Sequence, residues 1–324
     1  MQPSTWQPAA SQEAIRARSE ITWRIRSFFH DAGFLEVHTP ALSQDTVVDR
    51  YIEPISIDAA AIGTTQPCGT LYLQTSPEFC MKRMVASGLS AIYQICPAFR
   101  AEESGDEHNP EFTMLEWYRV GDDQQAGVDL LGELISTAAG CGKPEQTTYR
   151  DAFQSHTGLD PIEASLDHLS NAAKELTGVT KDWTHCRDGW LNLLFSQVVQ
   201  PQLGLATPTV VTNYPASQSA LARLSDSDPH TAERFELFWH GVELANGYNE
   251  LTDASELARR NETVNMQRVA DGHAALPADS RLLSAMQSGL QSCSGCALGL
   301  DRLVMAILGH RKLSSVMAFP IDRA

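Results

Sequence analysis

The sequence predicts an α+β fold, a mostly antiparallel sheet flanked by helices, and three observations carry that prediction. Two long strand patterns, residues 92–100 and 111–120, follow one another with only a polar loop between them. A second pair, 235–239 and 242–245, is joined by the two-residue turn His240-Gly241. Helix-period stretches lie outside these pairs, so strands occur in mixed order with helices around them.

Taken in order, the Pro/Gln/Ser-rich residues 1–15 read as a flexible N-terminal tail. Residues 19–32 carry Ile21, Ile25, Phe28 and Phe29 at helical spacing and end at Gly33. Residues 34–40 read as a short strand stopped by Pro40, and 71–75 as another. Pro77-Glu78 opens a helix carrying Met81, Met84 and Val85, since proline in the first turn followed by an acid is a start signal. The loop AEESGDEHNP between the two long strands exceeds the ~2–5 residues of ordinary hairpin loops, which points to function. Residues 127–225 read as mixed and mostly helical. After the second hairpin and a polar helical stretch comes a strand-to-helix unit, CALGLDR, continuing through Leu303, Val304 and Ile307 to Gly309. No domain boundary shows, and residues 16–324 are expected to form one catalytic domain.

The 324 residues are 43% hydrophobic and 20% charged, as in an ordinary globular protein. No apolar run approaches the ~18 residues of a membrane span, and the N-terminus lacks the basic-then-apolar order of a signal peptide. Seven scattered cysteines suit reduced thiols in a cytoplasm better than a disulfide frame. Cys293 and Cys296 form the only close pair, and no second pair completes a zinc site. Forty acidic residues against 24 basic ones give a net charge of −16, which argues against tRNA as the main partner and otherwise favours solubility.

Alternation along 111–120 puts Phe112, Met114, Glu116 and Tyr118 on one face. A ring, a carboxylate and a phenol together are an odd choice for a core. Arg100 closes the preceding strand, with Glu102, His108 and Asn109 in the loop. An arginine fork matches a phosphate or carboxylate, and an exposed Phe stacks on a purine; a solvated hairpin with surface ion pairs would have the same composition. Across the second hairpin Glu236 faces Ala245 and Phe238 faces Glu243, so that Glu236 and Glu243 lie on one face within about 7–8 Å. Two such carboxylates suit a hard cation, magnesium on a nucleotide phosphate being the usual case, or are two surface glutamates. Gly295, Ala297 and Gly299 leave room for a flat ligand, and Arg302 at the following helix start is a seat for phosphate. No GxxxxGK[ST] loop is present.

In this order, residues 28–40 (FFHDAGFLEVHTP), 99–118 with FRAEE, HNPEFT and EWY, and 295–302 (GCALGLDR) resemble motifs 1, 2 and 3 of the class II aminoacyl-tRNA synthetases. Residues 75–79 (TSPEF) and 243–250 (ELANGYNE) match the lysine branch. The resemblance runs over about residues 15–324. Lysyl-tRNA synthetases carry an anticodon-binding domain before motif 1. That domain has no room here, so the chain resembles the free-standing paralogues that act on elongation factor P. Ser76 and Ala297 stand where the tRNA-charging enzymes have Ala and Gly, and Ala101 where Asn is usual.

The resemblance implies an ATP-dependent ligase that activates lysine or (R)-β-lysine as an adenylate and transfers it to a lysine of elongation factor P. It implies that Arg100 and Arg302 are catalytic. ATP would be bound by Arg100, Glu102, His108, Asn109, Phe112, Glu243, Leu244, Gly299 and Arg302. The amino acid would be bound by Ser76, Pro77, Glu78, Tyr118, Asn246, Glu250 and Ala297. Mg2+ would be held by Glu236 and Glu243. A homodimer through motif 1 is expected, and no tRNA or membrane partner. A minimal lysyl-tRNA synthetase and a non-catalytic regulatory paralogue are the alternatives; the retained Arg100, Glu236, Glu243 and Arg302 speak against the second.

Overall fold

The structure, a computed structural model, describes residues 6–63, 69–181, 184 and 186–324. The first five residues of the expected tail lie outside the described residues. Two compact units form, Met1–Gly121 with Leu251–Ala324, and Asp122–Glu250.

The first unit opens with α1 (Gln12–Asp31), β1 (Leu35–Glu36), β2 (Leu42–Ser43), β3 (Ser56–Asp58), β4 (Thr70–Leu73), α2 (Glu78–Ala86), β5 (Ala91–Phe99) and β6 (Glu111–Val120). The second unit is α3 (Gln124–Ala139), β7 (Glu145–Thr148), α4 (Tyr149–Thr157), α5 (Leu166–Thr177), α6 (Arg187–Leu194), β8 (Thr209–Pro215), β9 (Thr231–Trp239) and β10 (Val242–Asn249). The chain then returns to the first unit with α7 (Ala254–Ala270), α8 (Arg281–Gly289), β11 (Cys293–Gly299) and α9 (Leu300–Ile307).

In the first unit the strands run β1-β5-β6-β11, with β2-β4-β3 as a small separate sheet. Only the β1–β5 pair is parallel; β5–β6 and β6–β11 are antiparallel. Helix α1 covers the back of β5 and β6. Its Ile21, Ile25 and Phe29 are buried, and the Phe29 ring stacks on Tyr93 at 4.5 Å and packs against Trp117 at 5.4 Å. Ser11 caps α1, accepting from Ala14 N–H at 3.1 Å. The helix therefore starts at Gln12 rather than residue 19, because its first turns are polar and exposed and carry little periodicity. Residues up to 15 are also tied down from Ala9 onward, where Ala9 and Ala10 N–H donate to Ala318 and Met317 carbonyls. The expected strand at 34–40 shrinks to β1, with one further bond from Val37 N–H to Tyr93.

The second unit has the order β10-β9-β8-β7. The sequence at 127–225 concealed two strands, and β7 (EQTT) has no apolar residue to signal it. Behind β8 and β9 lies an aromatic core in which Tyr149 stacks on Phe195 at 4.7 Å and packs against Tyr214 at 4.9 Å. His240 and Gly241 both have positive φ, 55° and 78°, the turn whose twist matches a two-residue hairpin. The strands extend well beyond the expected residues, to 231 and 249.

Candidate active site

Across β5, β6 and β11 the ladder register assembles one face of the first unit. Gln94 stands opposite Glu116 and Ala98 opposite Phe112. On the other side of β6, Gly295, Ala297 and Gly299 stand opposite Tyr118, Glu116 and Met114. The expected alternation on β6 holds, and small β11 residues stand opposite its carboxylate and phenol.

At one end of this face Arg100 lies with its guanidinium carbon 5.1 Å from the centre of the Phe112 ring. It donates through Nε to Thr75 O at 3.4 Å and lies 3.5 Å from Glu103. The guanidinium over one side of the ring thus sets a cation beside a stacking surface, a pair suited to an aromatic base with an attached phosphate. Arg302, just past the N-cap Gly299 of α9, donates to Glu107 O at 3.2 Å and lies 2.8 Å from His108 Nε2. Burial, and then the Arg302 charge, lower the pKa of His108, so its neutral ring accepts from the guanidinium. The preceding residue faces the other way: Asp301 takes Arg18 and the Thr113 N–H, the latter at 2.6 Å. Motif 3 therefore splits its two charges, one fixing β6 to α1 and one facing the loop.

The loop after β5 is firmly held. Arg100 N–H donates to Pro110 O, Ala101 N–H to Glu53 O, and Leu313 N–H to Asp106 O. Asn109 donates to Glu111 O at 2.5 Å and accepts from Ile321 N–H at 2.9 Å, so this expected ATP residue is first of all a bracket for the loop. Glu102 is exposed with φ 66°, a conformation that a non-glycine residue holds at a cost. It borders a cavity of about 240 Å³ with Arg50, Glu53, Ala101 and Glu103 among its walls.

At the other end of the face lies a buried polar cluster. Glu116, 1% exposed, accepts from Ser76 Oγ and Tyr118 Oη, both at 2.7 Å. Ser76 also accepts from the Glu78 N–H at 3.0 Å, where Pro77 caps α2. Glu78 pairs with Lys82, whose ammonium lies 5.8 Å from the Tyr118 ring centre. Burial, then the nearby Glu78, push the Glu116 carboxyl up to about 7. Two carboxylates against one ammonium leave this cluster one positive charge short, the complement of an amine ligand. Sequence reasoning named Ser76, Pro77, Glu78, Tyr118 and Ala297 as substrate residues, placed Glu116 on their face without giving it a role, and missed Lys82. The signal for Glu116 was present, two positions from Tyr118 on the same face.

In the second unit Glu236 accepts from Tyr214 Oη at 2.5 Å and pairs with Arg234. Arg234 also donates to Asn246 Oδ1 at 3.2 Å and to Gln218 O at 2.8 Å. The register corrects the sequence expectation: a bulge at Leu244 places Glu236 opposite Asn246 rather than Ala245, while Glu243 still opposes Phe238. Glu236 and Glu243 remain on one face, because a bulge adds a residue without reversing the pairs around it. Two carboxylates there, one fixed by a phenol and a guanidinium, form an all-oxygen donor set that fits a hard divalent cation. The Leu244 side chain is buried, and Glu250, 2% exposed, follows the end of β10. Cys293 and Cys296 are both buried and, three apart on β11, point to opposite faces; no cluster of three or more metal-ligating residues occurs among the described residues.

The family model described as tRNA synthetases class II (D, K and N) matches residues 5–323. An elongation factor P–(R)-beta-lysine ligase of Salmonella arizonae is 44% identical over 322 residues, 99% of each chain. Proteins of the same name from Salmonella paratyphi A and Salmonella dublin are 45% identical over the same share.

Proposed function

The chain belongs to the class II tRNA synthetases of the D, K and N group, and on that premise we propose that it is an ATP-dependent ligase that activates lysine or (R)-β-lysine and transfers it to a lysine side chain of elongation factor P. The observation that carries this reading is the single face of β6. Phe112, beside Arg100, lies at one end and the buried Glu116–Tyr118 pair at the other. Four residues of strand span about 13 Å, a length suited to a nucleotide base at one end of an aminoacyl-adenylate and an amine at the other.

In the first step a substrate carboxylate oxygen attacks the α-phosphorus of ATP and pyrophosphate leaves. Arg100 holds the charge that grows on the phosphoryl oxygens, and Phe112 stacks on the base. His108 and Arg302 hold the outer phosphates; Asn109 keeps their loop in place, with Glu102 and the Leu244 and Gly299 backbones as further nucleotide contacts. Glu236 and Glu243 hold magnesium, which neutralises phosphate charge when bound. Ser76, Pro77, Glu78, Glu116, Tyr118, Asn246, Glu250 and Ala297 recognise the amino acid. In the second step the acceptor amine attacks the adenylate carbonyl, an amide forms and AMP leaves. The Cys96 thiol on the same face is no rival nucleophile: burial, and then Glu116, push it up to about 12.

The net charge of −16 supports a protein rather than tRNA as acceptor. Cys80, Cys96, Cys141, Cys186, Cys293 and Cys296 form no disulfide, which suits the cytoplasm, and no helix among the described residues is long and apolar enough to cross a membrane. Exposed Trp23 and Leu35 on the α1–β1 segment favour a homodimer there, which light scattering at the 35.5 kDa of one chain would exclude. The deciding experiment offers labelled lysine and (R)-β-lysine, with ATP and magnesium, to elongation factor P and to tRNA in parallel. Label on the protein alone is expected; label on tRNA would make the chain a minimal synthetase.

A further inference from the structure

The carboxamide oxygen of Gln94 accepts no hydrogen bond within the protein, on a side chain only 1% exposed. A buried acceptor left unsatisfied is costly and calls for an explanation. Its place supplies one. Gln94 is the cross-strand partner of Glu116, so the two side chains rise from the same face with their Cβ atoms about 4.5–5.5 Å apart. Cys96, two positions along β5 on the same face, lies beside it and accepts from Gln74 Nε2 at 3.6 Å.

We propose that Gln94 is a specificity-determining residue of the amino-acid pocket, whose Oε1 accepts an N–H from the substrate ammonium that neutralises Glu116. The inference rests on the ligase reading above. An ammonium offers three N–H groups and needs acceptors in several directions. The Glu116 oxygens already accept from Ser76 and Tyr118, so a further acceptor at the adjacent ladder position completes the set. A carboxamide meets that need without adding a third buried carboxylate to Glu78 and Glu116, which would repel both.

The test is lysine- and (R)-β-lysine-dependent ATP–pyrophosphate exchange by wild type, Gln94→Met and Gln94→Glu, with folding checked by circular dichroism. Gln94→Met keeps the volume and removes the acceptor, and is expected to raise the amino-acid KM about tenfold, leaving kcat and the KM for ATP near wild type. Gln94→Glu keeps an oxygen there but adds a third buried carboxylate, and is expected to recover only part of the affinity, with the amino-acid KM falling at higher pH than in wild type. A purely structural role would not produce this split. If Gln94→Met fails to fold, Gln94→Asn, which withdraws the oxygen by one methylene, is expected to show the same rise. An amino-acid KM within about twofold of wild type in the folded variant overturns the inference. Wild type with no lysine-dependent exchange overturns the ligase reading itself, and this inference with it.

Discussion

The phenol of Tyr118 donates to Glu116 Oε1 at 2.7 Å across two positions of one strand. With Ser76 on the other oxygen, the carboxyl is held by two neutral donors. Burial and the neighbouring Glu78 outweigh these donors and leave it a proton near neutral pH that an incoming ammonium must displace.

The first prediction is a pH dependence of substrate affinity. Glu116 is pushed up to about 7 by burial and by Glu78, and an ammonium binds the carboxylate form. The KM for lysine should therefore fall as pH rises from about 6 to 8. Glu116→Gln should bind lysine weakly and flatten that profile; an unchanged slope in the variant refutes the assignment.

Stability moves the opposite way. The folded protein binds the Glu116 proton more tightly than the unfolded chain, whose group has the ordinary value of 4.5. Between about 4.5 and 7 the native state holds more protons, so stability from this site is lost as pH rises through that window. Thermal melts of Glu116→Gln should show a gain over wild type at pH 8 and little at pH 4.5.

Tyr214 fixes Glu236, and its own phenol is pushed well above the ordinary range by burial and then by that carboxylate. Tyr214→Phe should loosen the proposed metal ligand and weaken divalent-ion binding about tenfold or more. Titration with Mn2+ followed by electron paramagnetic resonance reads this without turnover. Equal affinity in the two proteins would remove Tyr214 from that role.

Asp301 accepts from Thr113 N–H and pairs with Arg18. Asp301→Ala leaves the Thr113 N–H without its acceptor and Arg18 with only Thr113 Oγ1, and should cost about 2–4 kcal/mol in urea denaturation. Exchange activity should fall less in the folded fraction than for Arg302→Ala, which removes the charge facing the loop.

Gly204 has φ 67°, and a Cβ there would lie 2.4 Å from the Phe238 carbonyl oxygen. Backbone cannot yield as a side-chain end can. Gly204→Ala should cost about 3 kcal/mol or more by denaturant unfolding, and an effect under about 1 kcal/mol would show that the hairpin relaxes.

Much of this was legible in the residues. The β6 pattern predicted 111–120 to the residue, because alternation there is strong and both ends are marked. The His240-Gly241 turn fixed the second hairpin's origin, but the Leu244 bulge could not be read, since an extra residue changes register without changing composition. Alternation told which face Glu116 shares with Tyr118. It could not tell that the face is buried, so Lys82 and Gln94 passed as ordinary polar residues. The short polar β7 owes its place to its parallel partner β8 rather than to its own sequence.

The loop that carries His108 and Asn109 takes two of its anchors from far down the chain, Asp106 O from Leu313 N–H and Asn109 from Ile321 N–H. During synthesis a ribosome hides its most recent residues, so this loop stays without both anchors until residues 313–321 have emerged.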